Sequence, residues 1–455
     1  MDAAEAFRDV PGLALLDSAR PGRRARWSYL TADPVDVVEV ISDGPDPFTA
    51  PRRLLDRLER GALPDAGLPP FLGGLVGFIG YDVGLALSPR RIVAVDDQGL
   101  SPLRLALHDW VVAWDRRTGT AWMAGRAVDG DVDALRRKLA RVRERLLDGT
   151  ARLRGGTAAE TPDEPLGFVS NLDRFTFEEG VESVRDAIAR GEIYQANLTR
   201  RLETPFRGDP WPLYRRLRTG DPALFSAFLD LGPAGLDRGP KGIASASPEP
   251  FLAVDVRGNV WTDPIKGTRP RGRDRDEDRA LARELLASAK DRAENTMIVD
   301  VLRNDLGRVC RPGSVRVPRL CRLERTAAVQ HLVSTVTGRL EPGRDAFDLL
   351  AASFPGGSIT GAPKLRAMEI LESLETVRRG PYTGALGWIG PDGAMATSIL
   401  IRTLVADGRR LSLNVGGGMT WRSDPAAEWE ETVVKARGPL GAIGAREIGG
   451  HGIAR

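Results

Sequence analysis

Residues 263–272 read DPIKGTRPRG, and Lys266 is the centre of that stretch. A lysine wedged between an apolar run and a glycine-rich turn is poorly placed to be an ordinary solvated charge. Confinement lowers the pKa of an amine, and a neutral amine is a nucleophile. Alone, the segment reads as a loop carrying a surface lysine. The rest of the chain gives it another meaning.

The chain has 455 residues, enough for two ordinary domains or one large one with a buried core. Hydrophobic residues make up 42% and charged residues 28%, the composition of a globular protein in water. Lys and Arg number 65 against 62 Asp and Glu, a mild bias toward anionic partners. The arginines are scattered among acids, as in RGRDRDEDR at 271–279, rather than clustered with aromatics, which argues against nucleic acid. Cys310 and Cys321 provide neither a disulfide framework nor metal-ligand spacing, and both read as packing residues in a reducing compartment. No apolar run reaches signal-peptide or membrane-spanning length, so no membrane partner is expected and the cytoplasm is the expected location.

Residues 1–150 read as a mixed α/β region, with strands at 35–41 and 110–114 and a helix over 132–147. LGGLVGFIGYD at 72–82 mixes glycines with aromatics, a sign of tight backbone packing. The polar stretch GTARLRGGTAAETPDEP at 149–165 marks a linker, taken as 151–169. Residues 170–445 form a second, denser α/β region packed with the first as one unit. Its expected helices are 176–190, 278–304 and 363–374, and its strands 194–202, 386–389, 398–405 and 411–415.

Several residues in this second region carry chemistry. A helix over 424–438 is announced by Asp424 as N-cap, Pro425 at its first position and Gly438 past its end. On it, Glu428 and Glu431 share a face and Glu430 points away. With Glu294, which opens the apolar run TMIVDVL, they form a carboxylate set suited to Mg²⁺; solvated glutamates are the plainer reading. In TSILIRTLV (397–405) an extended chain puts Arg402 on the face of Leu400 and Leu404, where a buried guanidinium requires an internal or substrate carboxylate. Gly416, Gly417 and Gly418 follow a strand, and PGGSITGAPK (355–364) runs into a helix; both read as anion cradles or as turns. The latter is no Walker loop, because Ala362 follows Gly361. His331 lies in an apolar setting, whereas His108 and His451 lack supporting context. Glu249 in SASPEPFL has an apolar surround that raises a carboxyl pKa, suiting a general acid.

These segments together resemble the chorismate-utilising enzymes, most closely the aminodeoxychorismate synthase component I branch. The resemblance rests on GEIYQANLTRR, SASPEPFL, DPIKGTRPRG, ENTMIVDVLRNDLGRV, VQHLVSTVTGRL, SFPGGSITGAPK, GPYTGALGWIG and AEWEET, in the family's order. It implies a large two-sheet, β-sandwich-like core with helices outside. It also implies an Mg²⁺ site at Glu294, Glu428 and Glu431. Chorismate contacts are implied at Gly267, Thr268, Tyr382, Arg402 and Gly416–Gly418, with Lys364 near a substrate carboxylate and His331 by the ring. LALLDS at 13–18 is similar to a region that holds tryptophan in related enzymes, making Ser18 a candidate contact.

The branch is chosen on three positions. Lys266 matches the nucleophilic lysine of aminodeoxychorismate synthases, and Glu249 their acid. Gln195 stands where isochorismate synthases place a water-activating lysine, and an amide cannot serve as that base. Pro250 replaces an arginine common in the family. The implied reaction joins chorismate and ammonia into 4-amino-4-deoxychorismate, on the route to p-aminobenzoate and folate, through a lysine adduct at C2. The ammonia is expected from a separate glutamine amidotransferase subunit. Anthranilate synthase component I and then isochorismate synthase are the alternatives.

Overall fold

Strands from both ends of the chain interleave in two large sheets. The computed structural model of the chain describes residues 2–40, 46–61, 67–88, 93–153, 165–233, 238–326 and 329–449, so His451 and residues 154–164 of the expected linker lie outside the description. Among the described residues, one sheet has 12 strands. Its central order is Gln195–Pro205, Arg410–Met419, Thr403–Asp407, Pro240–Ser247, Phe225–Pro233, Ala14–Asp17, Trp27–Thr31, Trp110–Asp115. The other has 10 strands, running from Ile265–Pro270 through Val329–Arg339, Asn259–Thr262, Pro250–Val254, Met395–Ile399 and Ala385–Ile389 to Gly74–Ile79, Leu103–His108 and Asp36–Val40. All these neighbours are antiparallel. Ala14–Asp17 pairs with Phe225–Pro233 and Gly74–Ile79 with Ala385–Ile389, so each sheet joins segments from before and after residue 150.

The sheets face one another across a layer containing Tyr29, Phe78, Val111, Ile243, Trp388 and Leu400. Helices cover the outer faces. Ala289–Gly307 and Ala346–Ser353 bring Ile298, Leu302 and Leu349 against one sheet; Trp211–Gly220 and Pro425–Ala442 bring Tyr214, Leu217 and Leu440 against the other. Each fully buried leucine or phenylalanine contributes roughly 1.5–3 kcal/mol of apolar transfer energy. Because both faces are covered, strands such as Gly74–Ile79 and Thr403–Asp407 are buried at every position, and the first reads as a continuous apolar run.

Several boundaries differ from those read in the sequence, each for a local reason. The helix expected over 278–304 is two, Arg275–Ala287 and Ala289–Gly307: Ser288 leaves the helical conformation, and its hydroxyl accepts from the Asp291 N–H to cap the second. Pro363 is the N-cap, not the first turn, of Lys364–Leu374. The helix begun by Asp424 and Pro425 passes Gly438 and even Pro439, ending at Ala442. The strand expected at 411–415 runs through the three glycines to Met419. The helix expected over 132–147 continues to Leu153, into the region read as linker.

The segment 398–405 is corrected most. It is no single strand: Met395–Ile399 belongs to one sheet and Thr403–Asp407 to the other, and the chain crosses between them at residues 400–402. A second crossing lies alongside, where Pro240–Ser247 passes to Pro250–Val254 through Pro248 and Glu249. The two are laced together: Ile399 N–H donates to the Glu249 carbonyl at 3.0 Å, Ala246 N–H to the Arg402 carbonyl at 3.0 Å, and the Ser247 hydroxyl to the Ile399 carbonyl at 2.5 Å. Glu249 and Arg402 are thus brought side by side at paired inter-sheet crossings.

Candidate functional site

Lys266 lies on the edge strand Ile265–Pro270, with Leu332 as its partner on Val329–Arg339. The pairing slips between Lys266 and Thr268, and Gly267 absorbs the slip at φ +81°. A Cβ there would come within 2.9 Å of Asp291, so only glycine fits. Beyond the slip, the Thr268 hydroxyl meets Nδ1 of buried His331 at 2.9 Å. Burial, with repulsion from Arg402 and Arg20, lowers the His331 pKa to about 4, so its imidazole is neutral at pH 7.

The Lys266 ammonium donates to the Ser358 carbonyl at 3.1 Å. Desolvation lowers its pKa, opposed by attraction to Glu294 and Glu249. Glu249 is buried, which raises its carboxyl pKa against the pull of Lys266. Burial therefore pushes both partners toward their neutral forms, a base and an acid in one site. The PGGSITGAPK segment supplies the Ser358 carbonyl from the short 3₁₀ turn Gly357–Ile359. Arg379, missed in the sequence, holds this turn: it is buried and donates to the Ile359 carbonyl at 2.9 Å, to Asn197 at 2.6 Å and to Glu375 at 2.7 Å.

The glycine triplet is extended strand, not a loop after a strand, and it is required by crowding. A Cβ on Gly418 would lie 2.4 Å from the Gln195 amide nitrogen and 3.6 Å from the Lys266 amine; one on Gly417 would lie 3.2 Å from Glu428 Oε2 and 3.6 Å from Glu431 Oε1. Gly418 therefore leaves its backbone bare beside the lysine and the amide, and Gly417 beside two carboxylates. Gln195 is fully buried, and neither polar atom of its amide has a partner in the protein.

Glu428 is buried, and Glu431 lies at the solvent edge of the same helix face. Burial raises the Glu428 pKa, with Glu431 adding repulsion. Desolvation acts to raise Glu431, but Lys435, with Lys266 and Lys290 beside it, holds it low. Lys435, also missed, sits 2.7 Å from Glu431 and donates to the Gly416 carbonyl at 2.8 Å; its i, i+4 spacing from Glu431 was the available signal. Glu294 has a buried Oε1 without a hydrogen-bond partner, and Lys290 approaches it at 3.9 Å. Among the described residues no three such side chains are already gathered as a metal cluster. The carboxylate set is instead interleaved with lysines.

Arg402 is not buried in an extended strand. It takes φ +51° at the crossing, its side chain is 40% exposed, and it approaches Asp221 at 3.7 Å. The left-handed conformation costs a non-glycine residue roughly 1–3 kcal/mol, retained where surrounding contacts enforce it. Tyr382 is buried, and desolvation raises the pKa of its phenol.

Lys364 does not face the site freely: its ammonium is bound inward by Asp305 at 2.8 Å and the Ser353 carbonyl at 2.7 Å. A buried ammonium requires such partners, and both are spent within the fold. Lys364→Ala is accordingly expected to cost about 3–5 kcal/mol of folding stability, read by urea denaturation; an unchanged midpoint with weakened chorismate binding would restore it to the substrate site. The Ser18 hydroxyl donates to the Trp27 carbonyl at 2.8 Å. It lines a cavity of about 370 Å³ with Arg24, Trp27, Tyr29, Trp261 and Trp388. His108 is a core residue, buried and bonded to Thr31 at 3.0 Å. Both cysteines are buried and free. No helix among the described residues is long and apolar enough to cross a membrane.

Residues 16–441 match the chorismate binding enzyme family. Anthranilate synthase component 1 of Streptomyces coelicolor is 40% identical over 96% of this chain and 84% of its own length. Aminodeoxychorismate synthase component 1 of Salmonella typhimurium is likewise 40% identical, over 95% of this chain and 94% of its own. The crystal structure of anthranilate synthase component I from Streptococcus pneumoniae superposes with a TM-score of 0.78 at 31% identity, covering 92% of this chain and 93% of that one. The chain belongs to the chorismate-binding enzyme family, as a chorismate-utilising enzyme.

Proposed function

We propose that this chain aminates chorismate at C4, as an aminodeoxychorismate synthase component I. The observation that carries the reading is the Lys266–Glu249 arrangement: an amine and a carboxyl both driven toward neutrality, with the Gln195 amide rather than a base beside the amine. Neutral Lys266 attacks C2 of chorismate, the two conjugated ring double bonds shift from C1=C2 and C5=C6 to C1=C6 and C4=C5, and the C4 hydroxyl leaves as water with the proton from Glu249. Ammonia then attacks C4, both double bonds return, and the C2–N bond to Lys266 breaks with its electron pair going back to the lysine nitrogen. The carboxylate of Glu249 takes the surplus proton from the incoming nitrogen. The pyruvyl ether is untouched, so release of p-aminobenzoate needs a separate lyase. Arg402, Tyr382, Thr268, Gly267 and the Gly416–Gly418 backbone bind and orient the dianion, with His331 beside the ring.

Magnesium fits this reading, because Glu294 keeps a buried carboxylate oxygen without a hydrogen-bond partner and Gly417 leaves room beside Glu428 and Glu431. These three glutamates would hold the ion, which when bound neutralises the ring carboxylate and draws electron density from the ring. Glu431→Gln is expected to weaken Mg²⁺ binding by on the order of 10-fold in calorimetric titration, since a charged ligand becomes a neutral one; an unchanged affinity removes Glu431 from the site. The ammonia source is a glutamine amidotransferase subunit, consistent with relatives named as component 1 of their synthases. Ser18 and its cavity are the candidate place for tryptophan.

The alternative is amination at C2, as in the anthranilate synthase relatives. Chorismate, Mg²⁺ and an ammonium salt, with products separated by chromatography, decide between them. 4-Amino-4-deoxychorismate supports the proposal; ortho-aminobenzoate overturns it, and isochorismate formed without ammonia would assign the third activity.

A further inference from the structure

We propose that Asp263 is a positioning residue for Lys266, clamped by Arg23 and Arg24 so that the segment between the first two strands sets the placement of the nucleophile. The inference rests on the reading of Lys266 given above. Lys266 lies on the outermost strand of its sheet, next to a slipped register, so it has a pairing partner on one side only. Such a strand depends on anchors other than its ladder. Asp263 is three residues upstream, and its side chain is 3% exposed. Its Oδ2 accepts from Arg24 Nε at 2.7 Å and pairs with Arg23 Nη2 at 2.9 Å, while Oδ1 accepts from the Thr335 hydroxyl at 2.6 Å. Thr335 lies on Val329–Arg339, and Ser334 N–H of the same strand donates to the Pro264 carbonyl at 3.2 Å. The base of the lysine strand is thus held from its own sheet and from a segment that begins more than 200 residues earlier.

The arginines have second attachments that fix them in turn. Arg23 reaches Glu324 at 3.1 Å, and Glu324 is the register partner of His331. Arg24 lies 5.2 Å from the Trp261 ring centroid and lines the 370 Å³ cavity beside Ser18. Burial would raise the Asp263 pKa, but the hydrogen bonds from Arg24 and Thr335 and the charge of Arg24 leave it lowered, so it stays ionised. A carboxylate with two guanidinium partners has little freedom to shift, and a misplacement of about 1 Å at a reacting atom is worth on the order of 10²-fold in rate.

The test compares Asp263→Asn and Arg24→Gln with Asp392→Asn, which breaks another buried pair, Arg126–Asp392 at 2.6 Å, as a stability control. Two readouts are taken: steady-state amination of chorismate with ammonium, and the pH dependence of Lys266 acetylation by acetic anhydride, followed by mass spectrometry. Asp263→Asn is expected to lower kcat by about 10–100-fold with KM within about threefold. The labelling midpoint of Lys266 should move upward as the strand loosens and the amine is solvated. Arg24→Gln should do the same more weakly, and the double variant should be no worse than Asp263→Asn. Unchanged kcat and labelling in folded Asp263→Asn or Arg24→Gln, or equal effects from Asp392→Asn, overturn the clamp. If Lys266→Ala remains active, the nucleophile reading fails, while the labelling midpoint still decides the clamp.

Discussion

Lys266→Ala is expected to abolish chorismate amination, lowering kcat by on the order of 10³-fold or more while the protein stays folded. Among the described residues, the other lysines at the site are committed elsewhere, Lys290 approaching Glu294 at 3.9 Å. Lys435 is committed to Glu431 and the Gly416 carbonyl, and Lys364 to Asp305 and Ser353. Among the described residues, Lys266 donates to the Ser358 carbonyl, and its pKa is lowered by desolvation. Intact mass spectrometry with chorismate and Mg²⁺, but without ammonia, should show an adduct on the wild-type chain that is lost in Lys266→Ala. Retained amination in the variant, or wild-type turnover without a detectable adduct under these conditions, would remove the covalent route.

Glu249→Gln should cost about 10²–10⁴-fold in kcat, the range for a lost general acid, because the amide keeps the shape of the side chain and cannot release a proton. The pH profile makes the test sharper. Lys266 must be neutral, so activity rises as pH climbs through the lowered amine pKa; Glu249 must be protonated, so activity falls as pH climbs through the raised carboxyl pKa. The two groups attract one another, and Glu294, Glu431 and Lys435 act on the amine as well, so the limbs belong to the cluster and not to either residue alone. In Glu249→Gln the limb that declines with rising pH should disappear. Persistence of that limb, with kcat near wild type, would assign the proton to another group.

The chemical inventory of the site was legible because it consists of residues in short motifs. Lys266 before a glycine, Glu249 between prolines, and Glu428 and Glu431 three apart behind an Asp424 cap can all be read within a few positions. Asp424 does cap its helix, accepting from the Ala427 N–H at 2.9 Å. Local reading failed where a distant partner intervenes. Gly438 looked like a helix end, but Leu440 is buried in the core beyond it and the helix continues. Arg402 looked like part of an uninterrupted strand, but the sheet to which its neighbours pair changes at that residue. Lys364 gave no local sign of its counterion, which lies 59 positions away at Asp305.

By itself, then, the amino-acid order specified the candidate reactive side chains, how helices begin, and which apolar runs become strands, because these depend on neighbours one to four residues apart. Tertiary structure alone decided where those side chains point. It set Glu249 and Arg402 on adjacent inter-sheet crossings, bared the Gly418 backbone toward Lys266 and Gln195, and tied Asp263 to arginines 239 and 240 residues earlier in the chain. Burial and long-range pairing arise only when the sheets close, and they set the protonation states on which the proposed reaction depends.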